Sequence, residues 1–296
     1  MLATLVEEPF DRPEWIYEEK YDGVRILAYK EGERASLLTR NAIDRTDRYR
    51  EVARAVAKLN SKALLLDGEV VVFDKKKVSR FQMLQQRQGI MKYVVFDCLY
   101  HDGTDLRKRP LRERREILEK VIRRGPDETI LLSEKLAENG IEAFAVARKR
   151  KLEGLVAKNT ASKYQERRSH EWLKVKLNHE SEFVIGGYTK PAGSRQYFGA
   201  LLLGVYEGKK LCFAGKVGTG FDARTLRELS NQLQKIKVTK SPFDDEVDER
   251  DATFVRPKLV AQIAYTEWTG DGRLRHPAYL GLREDKSARE VRREEV

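Results

Sequence analysis

Apolar residues in this chain arrive in strand-length runs, and that spacing narrows sharply what 296 residues can build. In the first part, residues 25–29, 64–73, 93–99, 155–158 and 172–177 read as strands. Helical patterns over 50–59, 111–124 and 142–151 fall between them. Val52, Val56 and Leu59 recur at helical spacing, and Pro110 stands where a helix starts. This is α+β texture, with helices covering sheet faces. After the polar stretch 178–182 the runs become short strands broken by Gly-rich turns, at 183–188, 200–206, 211–217 and 259–268, and a small barrel is expected. Inside it, Leu226, Leu229, Leu233 and Ile236 form the apolar stripe of one helix. The shift in texture sets a boundary near residue 180, giving domains 1–180 and 181–296. From Lys286 onward the chain is charged and aperiodic, which reads as a solvated tail or short helix. No internal repeat is evident.

With hydrophobic residues at 41%, disorder is a poor default. Lys and Arg number 58 against 47 Asp and Glu, a net charge of +11 that suits an anionic partner such as nucleic acid or nucleotide, although a basic surface can serve solubility alone. Cys98 and Cys212 sit in apolar runs without metal-ligand spacing, so a reducing cytoplasm fits best. No stretch approaches the roughly 18 apolar residues that span a bilayer, and the acidic start lacks a signal-peptide layout, so neither membrane insertion nor secretion is expected.

Four segments carry candidate chemistry. Residues 18–25 place Lys20, the turn dipeptide Asp22-Gly23 and Arg25 ahead of an apolar strand. Asp-Gly favours a tight turn holding Lys20 and Arg25 together at a site mouth, although a solvated charged hairpin explains the isolated segment better. In 66–73, two-residue alternation puts Asp67, Glu69, Val71 and Phe73 on one strand face, so acids share a face with apolar groups and need partners. For Glu69 the competing reading is an edge-strand acid capped by backbone amides. Alternation in 172–177 projects Lys174 and Lys176 together, opposite Leu173, Val175 and Leu177. A phosphate bridging the two ammonium groups explains that pair; an exposed edge strand whose lysines discourage aggregation explains it equally. Glu153, ahead of another strand, offers a hard oxygen to a magnesium ion shared with substrate phosphates, a weak signal alone. Residues 214–220 have the glycines of a phosphate-cradling loop but lack its terminal Gly-Lys-Ser/Thr, and read as a hairpin turn.

Taken in order, these segments resemble the covalent nucleotidyltransferase superfamily of DNA ligases, RNA ligases and mRNA capping enzymes. Lys-x-Asp-Gly-x-Arg appears as Lys20, Asp22, Gly23 and Arg25; Arg40-Asn41, Asp67-Gly68-Glu69, Phe96-Asp97, Glu153-Gly154 and Lys174-x-Lys176 follow in the family's order. Residues 275–286 look like the closing motif of ATP-dependent DNA ligases. With Arg256-Pro257-Lys258 and Tyr265-Thr266-Glu267-Trp268, they are similar to the ligase module of bacterial multifunctional end-joining ligases. The polymerase and end-processing modules often fused to that module, and the large N-terminal DNA-binding domain of eukaryotic replicative ligases, have no counterpart, so a minimal catalytic core is expected.

The resemblance implies a nucleotidyltransferase domain of antiparallel sheets flanked by helices, followed by an OB-fold β-barrel. It implies Lys20 as nucleophile, Glu18 on adenine, Arg25 and Arg40 near ribose and phosphate, Glu69 on the ribose and Phe96 packed on the base. Glu153 would help hold Mg2+ (or Mn2+), Lys174 and Lys176 would contact the phosphates of ATP, and Arg283, Asp285 and Lys286 would orient the leaving pyrophosphate from the barrel. Ala42 departs from the glycine many relatives carry there, which leaves the loop around Arg40 open. An ordinary lysine has a pKa of about 10.4, so deprotonating it at neutral pH costs about 4.6 kcal/mol. Lys174, Lys176, Arg25 and a divalent cation would each disfavour charge at Lys20, so a lowered pKa is expected there. AMP stored on Lys20 would pass to the 5′-phosphate of nicked double-stranded DNA, and the 3′-hydroxyl would displace it, with the barrel swinging about a hinge near residue 180. A monomer associated with a prokaryotic nucleoid is expected; Ku or a separate end-processing polymerase as partners is suggested by the end-joining resemblance alone. Two readings compete: an RNA ligase or GTP-using capping-type enzyme, against which 275–286 speaks, and a non-catalytic nucleic-acid-binding module that keeps the fold.

Overall fold

The computed structural model describes residues 1–123, 128–177, 179–191, 193, 195–249 and 251–293. The chain divides after Leu177 into two compact units. The first contains, in order, β1 (Leu2–Leu5), β2 (Trp15–Glu19), β3 (Val24–Glu31), β4 (Arg34–Thr39), α1 (Arg50–Ala57), β5 (Ala63–Val72), α2 (Phe81–Gln85), β6 (Met91–His101), β7 (Thr104–Asp105), α3 (Leu111–Arg123), β8 (Ile130–Leu132), β9 (Lys135–Ala137), α4 (Gly140–Arg150), β10 (Gly154–Asn159) and β11 (Arg168–Lys176). The helix expected over 111–124 is thus present to Arg123; its last position lies outside the described residues.

The strands of this unit form two sheets. One has the order β1-β11-β10-β2-β9; the other runs β4-β3-β5-β6-β7, with β8 beside β6. Alternation sorts each strand's side chains between a helix-covered face and an inner face. On the first sheet Tyr17, Leu155, Ala157, Leu173 and Val175 pack with Ala143 of α4. On the second, Val24, Ile26, Ala28 and Leu66 pack with Val52 and Val56 of α1 and Leu118 of α3. The inner faces approach through Ile16, Phe96 and Trp172, which share a cluster. Burying about 25 cal/mol per Å2 of apolar surface on the outer faces leaves the inner ones able to carry charge.

Two local expectations change. β5 ends at Val72, one residue short of the expected Phe73, which forms an isolated bridge to Ser79. β11 is an interior strand, paired with β1 and β10, which removes the edge-strand explanation for Lys174 and Lys176.

The second unit contains β12 (His179–Thr189), β13 (Leu201–Glu207), β14 (Lys210–Val217), α5 (Ala223–Gln234), β15 (Lys237–Val238), β16 (Ala252–Tyr265), β17 (Glu267–Trp268), β18 (Leu274–Arg275) and β19 (Ala278–Leu282). Its main sheet has the order β14-β13-β12-β16-β15, with β19 also on β16, in an OB-fold arrangement. Bulges bend β12 at Gly186 and β14 at Ala214, and the inner side chains wrap a single core. Leu229 and Leu233 of α5 enter that core, with Leu226 and Ile236 packed beside them. Residues 214–220 are not a hairpin turn: β14 continues to Val217, and the loop then leads to Asp222, whose carboxylate accepts from Thr225 N at 2.7 Å to cap α5. In the charged C-terminal stretch the short helix of the two expected alternatives is present, but it reaches the core. A short 3-10 turn, Ala288–Glu290, buries Ala288 and Val291 in the core, and Tyr206 N donates to Val291 O at 2.9 Å; positions 294–296 lie outside the described residues.

Candidate active site

Lys20 directly follows β2, and its backbone N–H donates to Gly154 O at 3.0 Å, extending the pairing of β2 with β10. Glu153 is brought there by the end of α4, where Lys151 turns the chain in a left-handed conformation at φ 58°. The Lys20 ammonium forms an ion pair with the Glu153 carboxylate. Burial opposes the charge on Lys20, yet Glu153, with Asp22 and Glu69 behind it, outweighs burial and raises the pKa. This reverses the expected lowering, because the group that meets the Lys20 ammonium is an anion and not the lysine pair.

Asp22-Gly23 makes no hairpin turn. The segment carries the chain from the first sheet to the second, and a Cβ on Gly23 would lie 2.2 Å from Val70 O, so glycine is needed for close approach to β5. Asp22 accepts from Phe81 N at 2.9 Å, anchoring the crossing to α2. Arg25 then pairs in register with Glu69 on β5. Arg25 Nε donates to Asp67 Oδ1 at 2.9 Å and Nη2 to Oδ2 at 2.6 Å, a bidentate fork that holds the Asp67 carboxyl below its usual range against the opposing effect of burial. Tyr164 Oη also donates to Asp67 Oδ2, at 2.8 Å. Asp97 lies opposite Asp67 on β6 and has its own fork from Arg114, with both bonds at 2.7 Å. Burial pushes the Asp97 carboxyl upward even so.

Phe96 is 9% exposed, with Lys158 Nζ 4.4 Å and the Arg25 guanidinium 5.5 Å from its ring centre. Both cations stand within cation–π range of the ring. Glu18 is 1% exposed and its carboxylate is engaged by Lys158 at 2.6 Å, Ser133 Oγ at 2.8 Å and Arg115. Burial and neighbouring Arg115 lower the Lys158 pKa, with Glu18 opposing. Oε1 accepts from Arg115 alone whereas Oε2 accepts from both Ser133 and Lys158, so three of about four acceptor positions are used.

The registers β2–β10 and β10–β11 place Glu18, Val156 and Lys174 in one row, and the backbone bond to Gly154 O sets Lys20, Gly154 and Lys176 in the next. Two strand spacings separate the row ends, roughly 10 Å. Gly154 has no room for a side chain, since a Cβ would sit 2.1 Å from Val175 O. Arg40 is exposed in a turn pinned by Thr39, whose Oγ1 accepts from Ile43 N at 3.2 Å. Ala42 in this turn has φ 57°, which explains why glycine suits the position. In the second unit Arg283 forks onto Asp285 at 3.0 and 2.9 Å, lowering the Asp285 pKa against the effect of burial, and Lys286 pairs with Glu182 at 3.1 Å.

Sequence reasoning missed Arg114, Arg115, Lys158, Ser133 and Tyr164. The two arginines left a readable signal: they interrupt the stripe of Leu111, Leu118 and Val121 on α3, and buried arginines require buried carboxylates. Among the described residues no group of three or more His, Cys, Asp or Glu side chains is arranged to hold a metal ion. Glu153, a single carboxylate, fits a magnesium ion that takes its remaining ligands from substrate phosphates and water.

A lysine next to a crossing between two sheets, facing a paired row of lysines and followed by an OB-fold unit, defines a nucleotidyltransferase joined to an OB-fold domain. Residues 1–176 match the ATP dependent DNA ligase domain and residues 194–286 the ATP dependent DNA ligase C terminal region; the chain belongs to the ATP-dependent DNA ligase family. It is 42% identical over 301 residues to the multifunctional non-homologous end joining protein LigD of Pseudomonas aeruginosa, covering 98% of this chain and 36% of the relative. The corresponding protein of Mycolicibacterium smegmatis is 37% identical over 94% of this chain and 37% of its own length. The chain thus spans little more than a third of these curated relatives. Among solved structures, mycobacterial DNA ligase D complexed with ATP and MES aligns with a TM-score of 0.70 and 34% identity, over 99% of this chain and 98% of that one. The ligase domain of Mycobacterium tuberculosis LigD aligns with a TM-score of 0.52 at the same identity and coverage.

Proposed function

We propose that this chain seals 3′-hydroxyl/5′-phosphate nicks in double-stranded DNA through an adenylate stored on Lys20, with residues 1–180 as the adenylyltransferase domain and 181–296 as the OB-fold domain. The carrying observation is the juxtaposition of Lys20 with Glu153, in strand rows shared with Lys174 and Lys176. In the first step the Lys20 amine attacks the α-phosphorus of ATP; an N–P bond forms, the P–O bond to pyrophosphate breaks, and the amine gives up a proton. Its pairing with Glu153 keeps Lys20 protonated, so attack requires that carboxylate to be engaged elsewhere. Glu153 is the residue to hold Mg2+ (or Mn2+), an ion that supplies charge neutralisation to the phosphates when bound. Lys174 and Lys176 act on the α- and β-phosphates, while Arg25, Arg40 and Glu69 hold the ribose and phosphate, and Glu18 and Phe96 form the base end. Arg283, Asp285 and Lys286 orient the departing pyrophosphate.

In the second and third steps AMP moves to the 5′-phosphate of the nick, and the 3′-hydroxyl displaces it as the strand closes. Phosphate contacts through Lys and Arg give sequence-independent affinity, which nick sealing needs. The names of the end-joining relatives support a role in end joining. The reading extends to a monomeric ligase in a prokaryotic cytoplasm, with Ku or a separate end-processing polymerase as a partner. The test is incubation of the purified chain with α-labelled ATP and Mg2+, followed by a singly nicked duplex. We expect the mass of one AMP on Lys20, its absence in Lys20→Ala, and a sealed strand. Label taken from GTP but not ATP, sealing of nicked RNA alone, or continued labelling of Lys20→Ala would overturn the reading.

A further inference from the structure

We propose that Tyr164 is a positioning residue that sets the orientation of Arg25 toward the nucleotide, acting through Asp67. This rests on the reading of Arg25 as a nucleotide contact. Tyr164 lies in the loop joining β10 and β11, strands of the sheet bearing Lys174 and Lys176, whereas Asp67 belongs to β5 of the other sheet. The Tyr164 hydroxyl donates to Asp67 Oδ2 at 2.8 Å, the same oxygen that accepts from Arg25 Nη2 at 2.6 Å. Arg25 Nε holds Oδ1 at 2.9 Å. A carboxylate that turns about its Cβ–Cγ bond carries a bidentate guanidinium with it. Arg25 Nη1 also donates to Met1 O at 2.6 Å, and a third donor to the carboxylate, arriving from the β10–β11 loop, opposes rotation of Asp67 and so helps to hold the plane of Arg25.

Tyr164 is itself held firmly. Its backbone N–H donates to Arg107 O at 2.9 Å, and the Arg114 guanidinium lies 5.9 Å from its ring centre. Arg114 Nη1 also donates to Ser162 O at 2.9 Å, securing the segment that presents Tyr164. The position of Asp97, in register with Asp67, makes the third donor more consequential. Two buried carboxylates on neighbouring strands repel, and Asp67 resists displacement through Arg25 and Tyr164 together.

Space-filling between the sheets is the competing role, since Tyr164 packs beside the cluster containing Phe96 and Trp172. Tyr164→Phe separates the two, because it keeps the ring and removes only the donor. Self-adenylylation by the full chain would be followed with α-labelled ATP over a range of concentrations for Y164F, R25A and the double variant, alongside thermal melting. Loss of one hydrogen bond to a buried charged group predicts a half-saturating ATP concentration raised about tenfold in Y164F, a saturating rate within about threefold of the parent and a melting temperature lowered by about 3–8 °C. Because the tyrosine acts through Arg25, the double variant should be no worse than R25A. Normal ATP dependence in Y164F beside an impaired R25A would overturn the positioning role alone, as would full additivity in the double variant. An R25A variant with normal ATP dependence would instead sink the nucleotide-contact reading, and the positioning role with it.

Discussion

Replacing Arg114 with methionine should destabilise the first unit by about 3–5 kcal/mol, the usual cost of stranding one member of a buried ion pair. Both side chains of the Arg114–Asp97 pair are 0% exposed. The substitution removes two 2.7 Å bonds to Asp97 and those to the carbonyls of Arg109 and Ser162, and leaves an anion across from Asp67. For a unit the size of Met1–Leu177 this corresponds to a fall of roughly 10 °C in its melting transition. Far-UV circular dichroism would follow the melt, and thiol labelling of buried Cys98 would report on the first unit specifically. The pH dependence has a definite sign. Burial raises the Asp97 pKa in the folded state, so the destabilisation should lessen as pH falls through that raised value and grow as pH rises through it. Asp97→Asn in the Arg114→Met background should restore more than half of the loss by removing the stranded charge. A single variant that melts within about 2 °C of the parent, or a double variant no better than the single, would refute the assignment of this pair as a buried, mutually compensating charge.

Other outcomes follow from the same contacts. Ala42→Gly relieves a left-handed alanine and should raise stability by about 0.5–1 kcal/mol, readable as a higher urea midpoint; a lower midpoint would contradict the strain argument. Gly23→Ala drives a methyl into Val70 O and should cut self-adenylylation more than about a hundredfold or prevent folding, so near-normal labelling of soluble variant would count against the close approach. Glu153→Gln removes the charge that raises the Lys20 pKa, so the pH midpoint for acylation of Lys20, followed by peptide mass spectrometry, should move downward; an unchanged midpoint would speak against the ion pair.

Strand and helix placement was legible wherever one periodicity dominated. α1 and α5 carry clear stripes, and β11 alternates cleanly, so the common direction of Lys174 and Lys176 could be read without a structure. The failures share a cause: the deciding partner was distant in sequence. Asp22-Gly23 has turn chemistry, but the Val70 carbonyl determines what fits there. Lys20 has cationic neighbours in the motifs, but Glu153, 133 positions away, sets its charge state. The C-terminal turn lacked an apolar pattern because only Ala288 and Val291 enter the core, while Arg289 and Arg292 lie over Tyr206. Tyr164 had no local signature, since its hydroxyl matters only once two sheets face one another.

The Glu18 network has an implication for how the ligase responds to its surroundings. One carboxylate meets two basic side chains, Lys158 and Arg115, all three buried where counterions do not penetrate. Exposed lysines and arginines gripping a DNA backbone are screened over a Debye length of about 8 Å at physiological ionic strength, and their hold weakens steeply as salt rises. Ion pairs sealed in the interior are screened far less. Rising ionic strength should therefore loosen surface contacts to a DNA backbone while the Glu18 network keeps its arrangement.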